Sequence, residues 1–167
     1  MYDLARPGDE LAAAQLLDVT NEAELDGFLG RLVDSAVRGV GGRVPAATRR
    51  ALVAVLRRTA ERTLPTLTTA LGDPLGPLAG VGPSVAETAA RVYGLELEGM
   101  SAEDRDYEIA RQFLRFARAV AWRAARAPAS APAAAVDAAV AGVSRELAPG
   151  LLPPQPEMPI GARPPRS

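Results

Sequence analysis

After Asn21 the apolar residues fall at Leu25, Phe28, Leu29, Leu32, Val33, Ala36, Val37 and Val40, an unbroken i, i+3, i+4, i+7 series. A strand would need strict alternation, so this spacing commits the segment to an amphipathic helix with one seam for packing. Asn21 and Glu24 stand three positions apart, the capping-box spacing in which each side chain satisfies an orphan amide of the first turn. Gly39, Gly41 and Gly42 then stop the helix over residues 21–40. A longer series begins at Ser101 and runs to about residue 127, where Pro128 ends it. Its apolar stripe is Ile109, Phe113, Phe116, Val120 and Ala124, widened by Tyr107, Leu114 and Ala121 to about half the circumference. Glu103, Asp104 and Asp106 open it and Arg123 and Arg126 close it, each sign matching the helix dipole.

The same rules predict four further helices. Residues 9–18 form a short one with Leu11, Leu16 and Leu17 as its apolar residues. Pro45 starts another that continues to about Leu64, burying Leu52, Val55, Leu56, Thr59, Ala60 and Thr63 and exposing Arg43, Arg49, Arg50, Arg57, Arg58 and Arg62. Ser84 and Glu87 repeat the capping-box spacing ahead of Val85, Ala89 and Val92, with a stop at Gly94 and a short extended connection after it. Residues 132–147 carry Val136, Val140, Val143 and Leu147 on one face. Between the third and fourth, residues 65–83 hold four prolines and four glycines and read as a loop. Residues 149–167 hold seven prolines and too little apolar surface to offset ordering, so a disordered tail is expected. With 34 alanines and seven aromatics, the core is built from thin side chains that favour closely approaching helices. At 167 residues the expected architecture is all-α: a small helical bundle of four to five helices around one core, residues 1–148, with a Gly/Pro-rich central loop and a disordered Pro-rich C-terminal tail. The helix over residues 21–40 and the long helix are expected to pack on each other.

Composition removes most chemistry. Histidine, cysteine and lysine are absent and all nineteen basic residues are arginine, so imidazole or thiolate metal sites, Ser-His and Cys-His nucleophiles, Schiff-base lysines and P-loop lysines have no residues to use. Only carboxylates remain as acid–base groups. Asp104 and Glu108 share a face at i, i+4, but the plain reading is a dipole-matched helix start with Glu108 pairing Arg111. No catalytic residue, cofactor or metal is expected. A net charge of −1 argues against a dedicated nucleic-acid binder. The first twenty residues carry Asp3, Arg6, Asp9, Glu10 and Asp18 in place of an apolar signal, and the longest uncharged stretch, residues 74–86, is too short to span a bilayer. A cytoplasmic protein is expected, or one delivered by a route that reads no N-terminal signal.

Opposite the apolar stripe of the long helix lie Arg111, Arg115, Arg118, Trp122 and Arg126, placing the chain's one tryptophan inside an arginine stripe. An aromatic among arginines suits an acidic partner protein, anionic lipid or a stacked nucleotide; the competing reading is Arg and Trp stacking on each other, or Trp122 covered by the last helix. Charge also runs in blocks, net −5 over residues 85–108 and net +5 over both 109–126 and 43–62, as complementary faces between helices or subunits would require. The favoured expectation is a non-enzymatic interaction protein whose Arg/Trp face meets an acidic protein surface, with oligomerisation compatible. The alternative rests on Gly72, Gly76 and Gly80, whose four-residue spacing is that of a glycine zipper, though Pro74, Pro77 and Pro83 interrupt it. On that alternative the chain is membrane-active, engaging anionic lipid through the central segment and the Arg/Trp face.

Residues 94–120, GLELEGMSAEDRDYEIARQFLRFARAV, together with AAQLLDVTNEAELDGFLGRL at 13–32, AARAPASAPAAA at 124–135 and APGLL at 148–152, resemble a family of uncharacterised bacterial proteins. Its members carry an LLEVTxExELxxFLGxL opening and a GLELEGMSxEDxEFExARxFVRLA segment, and their centre holds a glycine-zipper run where this chain has an arginine-rich helix and a proline-broken remnant. The resemblance brings no catalytic residues. It implies an accessory component or cargo of a large bacterial assembly such as an extracellular contractile injection system.

Overall fold

The computed structural model describes residues 9–38, 44–64, 85–126 and 131–151. They form α1 (Asp9–Leu17), α2 (Glu22–Arg38), α3 (Ala46–Thr63), α4 (Val85–Tyr93), α5 (Ala102–Ala125) and α6 (Pro132–Leu147), followed by a 3-10 turn at Pro149–Leu151. Among the described residues there is no strand. The all-α bundle is therefore as expected, with six helices among the described residues where four to five were anticipated around the core. Each of the six segments read as helical forms a helix, α1 included: Ala13 and Leu16 are fully buried on the side that meets α5, whereas Leu11, expected to be an apolar contact, points to solvent at 64 % exposure. The loop over 65–83, residues 152–167, Val40, Ser84, Pro128 and the glycines at 39, 41 and 42 lie outside the described residues.

α5 is the hub, touching each of the other five helices, α2 included. Ile109, Phe113, Leu114, Phe116 and Val120 supply its bulk, while Ala110, Ala117, Ala119, Ala121 and Ala124 let neighbouring helices approach closely; all ten are buried. At about 100° per residue these ten cover more than half of the circumference, so the core face of α5 is wider than its apolar stripe alone.

The helix ends show why the chain folds here. Asn21 Oδ1 accepts the Glu24 amide hydrogen at 2.8 Å, the first half of the expected capping box. The second half closes one residue earlier than expected: the Glu24 carboxylate takes the Thr20 amide at 3.0 Å and the Thr20 hydroxyl, not the Asn21 amide. Ser101 Oγ caps α5 by accepting the Asp104 amide hydrogen at 3.2 Å. Gly94 closes α4 at φ 67°, a left-handed conformation that lets the Leu95 amide reach back to the Ala90 carbonyl at 2.9 Å. Gly99, at φ 80°, makes a turn where residues 95–99 were expected to be extended.

Polar ties complete the bundle. The Arg49 guanidinium on α3 donates Nε to Asp34 Oδ1 at 3.0 Å and Nη2 to Asp34 Oδ2 at 3.2 Å, and Arg57 reaches Asp26 at 3.3 Å, so the basic third helix meets carboxylates of α2. Both pairs are substantially exposed and contribute modestly. Between α3 and α4, Thr63 Oγ1 donates to the Thr59 carbonyl at 2.8 Å and meets the Tyr93 hydroxyl at 3.0 Å, all in the interior, with the Tyr93 ring edge-on to Phe116. The first three residues assigned to the tail are instead ordered: Pro149–Leu151 packs against α4 and α6, and Gly150 lies so close to the α4 backbone that a Cβ there would meet the Arg91 carbonyl oxygen at 2.6 Å.

Candidate functional site

Because the core claims one broad arc of α5, the remaining arc is set by the helical period. Arg111, Arg115, Arg118, Trp122 and Arg126 line up along it; the first four are half-buried and Arg126 is exposed. Two neighbours organise the ends of this row. At the N-terminal end the Arg111 guanidinium stands 3.7 Å from Glu108 Oε2 and 6.0 Å from the centre of the Tyr107 ring. Glu108 also accepts from Gln112 Nε2 at 3.4 Å, so this carboxylate is occupied by its own helix. At the C-terminal end the Arg126 guanidinium lies over the Trp122 indole, 4.5 Å from the ring centre, well inside cation–π range. The stacking of Arg on Trp considered from the sequence is thus present. Arg118 and Trp122 make further contacts within the molecule. Arg115, between Arg111 and Arg118, forms no ion pair with any described residue.

The flank of α5 behaves differently. Arg123 runs across α6 and fills the space over Gly142, where a Cβ would meet its Nη1 at 2.5 Å. Its side chain belongs to the α5–α6 packing rather than to the row.

The carboxylate cluster at the start of α5 separates by environment. Asp104 and Glu108 were the pair singled out by spacing, yet the carboxyl group pushed upward is Asp106, by burial, with the Arg105 charge offsetting part of it. The pattern carried this signal: Asp106 precedes Ile109 by three and Phe113 by seven, which places it on the apolar stripe. Arg105, on the other edge, has its Nε sealed from water without a hydrogen-bond acceptor among the described residues. No group of three metal-ligating side chains occurs among the described residues.

A depression of about 430 Å³ lies where α1 meets α2, with Val19 and Phe28 as its floor and Gln15, Asp18, Glu24 and Arg31 around the rim. Its Glu24 is already committed to Thr20. No helix of the described residues is long and apolar enough to cross a membrane. No family model matches the chain, and no curated protein or solved structure is significantly similar to it.

Proposed function

We propose that this protein is a non-enzymatic helical interaction module whose Arg111, Arg115, Arg118, Trp122 and Arg126 dock an acidic surface of a partner protein, as an accessory component or cargo of a large bacterial assembly. The observation that carries the docking part is the arginine row on the arc of α5 that the core leaves uncovered, in which Arg115 forms no ion pair with any described residue. A guanidinium held over an indole is weakly hydrated and already oriented, so a carboxylate arriving there finds a donor that loses little freedom. The lack of histidine, cysteine and lysine supports a binding role over a catalytic one. The assembly part, including a contractile injection particle as the example, rests on the resemblance carried by residues 13–32 and 94–120.

Both parts have a direct test. Retention on an immobilised polyglutamate support is expected to weaken with salt, since charge complementarity is screened over about 8 to 10 Å at moderate ionic strength. Reversing Arg115→Glu together with Arg118→Glu is expected to abolish retention while the helical circular dichroism spectrum persists, because surface changes usually cost only about 0.5 kcal/mol each. Retention indifferent to the double reversal removes the docking reading. Sheath, tube and baseplate genes next to the gene for this chain support the assembly part, and an unrelated neighbourhood removes it.

A further inference from the structure

We propose that the depression between α1 and α2 is a binding site for a small zwitterion with an apolar side chain, a free amino acid of the phenylalanine or leucine kind, with its carboxylate on Arg31, its ammonium on Asp18 and its side chain over Phe28 and Val19. Nothing in this reading depends on the arginine row of α5. Three observations carry it.

The first is a glycine without a packing reason. α2 holds two glycines in its interior, where alanine makes the better helix. Gly30 is required, because the Arg49 guanidinium crosses it on the way to Asp34 and a Cβ there would meet Nη2 at 2.5 Å. Gly27 is not required in that way: a Cβ there would meet only Arg31 Nη1, at an ordinary contact distance of 3.7 Å. What the missing side chain does at position 27 is keep open a depression of about 430 Å³, a volume in the range of small-ligand sites.

The second is a pair of unclaimed charges on the rim. Arg31 lies one turn after Gly27, and its side chain turns back over it, as long helical side chains do. The carboxylate three positions on, Asp34, is taken through both oxygens by Arg49, and Glu24 is taken by Thr20. Asp18 joins the rim from the end of α1; neither it nor Arg31 forms an ion pair with any described residue. A ligand of one sign satisfies one of these groups and faces the other as a like charge, whereas a ligand of both signs satisfies the two together.

The third is the floor. Phe28 and Val19 belong to the core and also line the depression, so its base is apolar. An apolar side chain laid there takes its own surface and that of the Phe28 ring out of water. Glycine itself has nothing to place on this floor, which narrows the class to amino acids with a sizeable apolar side chain.

The probes are L-phenylalanine, its one-charge relatives phenylpropionate and phenethylamine, and free glycine. Each is titrated into the isotope-labelled full chain, with the amides of Gly27 and Phe28 as nuclear magnetic resonance reporters. L-Phenylalanine is expected to shift both amides saturably, with the two relatives and glycine at least about tenfold weaker, as the loss of one charged contact or of the apolar body implies. Arg31→Gln is expected to erase the advantage over phenethylamine, and Asp18→Asn the advantage over phenylpropionate. Gly27→Leu fills the depression from an exposed position and is expected to abolish binding, read at Phe28, while the helical circular dichroism persists. Gly27→Ala is expected to raise the melting temperature, and a lower one would reveal a packing reason for the glycine and overturn the proposal. Absence of any saturable shift with L-phenylalanine overturns the site. A relative that binds as tightly as L-phenylalanine overturns the zwitterion, and binding that survives Gly27→Leu overturns the location.

Discussion

The Tyr93 hydroxyl and Thr63 Oγ1 meet at 3.0 Å in the interior, joining α4 to the end of α3 across 30 positions of chain. Thr63 spends its own proton on the Thr59 carbonyl, so Tyr93 is the donor of the pair. The two ends are therefore unequal. Tyr93→Phe leaves Thr63 with its donor bond intact and is expected to cost about 0.5 to 1.5 kcal/mol, whereas Thr63→Val strands a buried tyrosyl O–H and is expected to cost about 1 to 3 kcal/mol. Urea unfolding of the two variants side by side measures the difference, and a costlier Tyr93→Phe would reverse the donor assignment.

Burial holds the Tyr93 phenol well above its ordinary ionisation range. Above about pH 10 the unfolded chain releases this proton while the folded chain keeps it, so the unfolded state binds fewer protons and stability must fall as pH rises. Below that pH the contribution is fully present. Denaturation midpoints at pH 8, 10 and 11 are expected to show the decline, and Tyr93→Phe is expected to flatten it.

Two glycines predict opposite signs for the same substitution. At Gly150 a Cβ meets backbone of Arg91 and Val92 at 2.6 Å, and backbone of a packed helix cannot yield, so Gly150→Ala is expected to cost about 1 to 3 kcal/mol and to loosen the C-terminal turn from α4. At Gly142 the obstacle is the end of the flexible Arg123 side chain, and alanine is preferred to glycine inside a helix by about 0.8 to 1 kcal/mol. Gly142→Ala is thus expected to be neutral or stabilising. Thermal melts of the two variants decide it.

Asp106 is held in a setting that disfavours its charge. Its folded ionisation lies above the unfolded one, so lowering the pH from neutrality into the carboxylate range relieves the folded state and this residue adds stability as pH falls. Asp106→Asn is expected to raise the melting temperature at pH 7 and to leave it unchanged near pH 3. An aspartate variant elsewhere in the core has the opposite fate: Phe113→Asp places an unpaired carboxylate at a fully buried position and is expected to abolish the helical melt.

Much of this architecture is legible in the order of residues because helix signals are local. The periodicity after Asn21, the stripe from Ile109 to Ala124 and the cap at Ser101 each lie within a few turns of chain, and each element formed where those cues stood. What depends on a third body was not legible. Leu11 fits an apolar stripe as well as Leu16 does, yet only Leu16 faces α5. Glu24 could reach either Thr20 or Asn21 by spacing, and in the fold it takes Thr20. The Thr63–Tyr93 bond and the seating of Gly150 on α4 join residues far apart in sequence, where spacing carries no information. At the candidate site, membership of the row followed from the 3.6-residue period, while its internal partners depended on rotamers: Glu108 under Arg111 was read from i, i+3, and Arg126 turned back over Trp122.

α5 is the fifth of the six described helices, yet every other one leans on it. During synthesis α2 and α3 can pack on each other, but the faces of both that meet α5 stay bare until about residue 125 has emerged. The early helices have no core of their own to settle into, since Leu25, Leu29, Leu52 and Leu56 are all sealed in one cluster that includes Phe113 and Phe116. Folding is consequently expected to be a late, nearly all-at-once event, and a ribosome-stalled chain ending at Gly99 is expected to be a substrate for chaperones and proteases rather than a half-built protein.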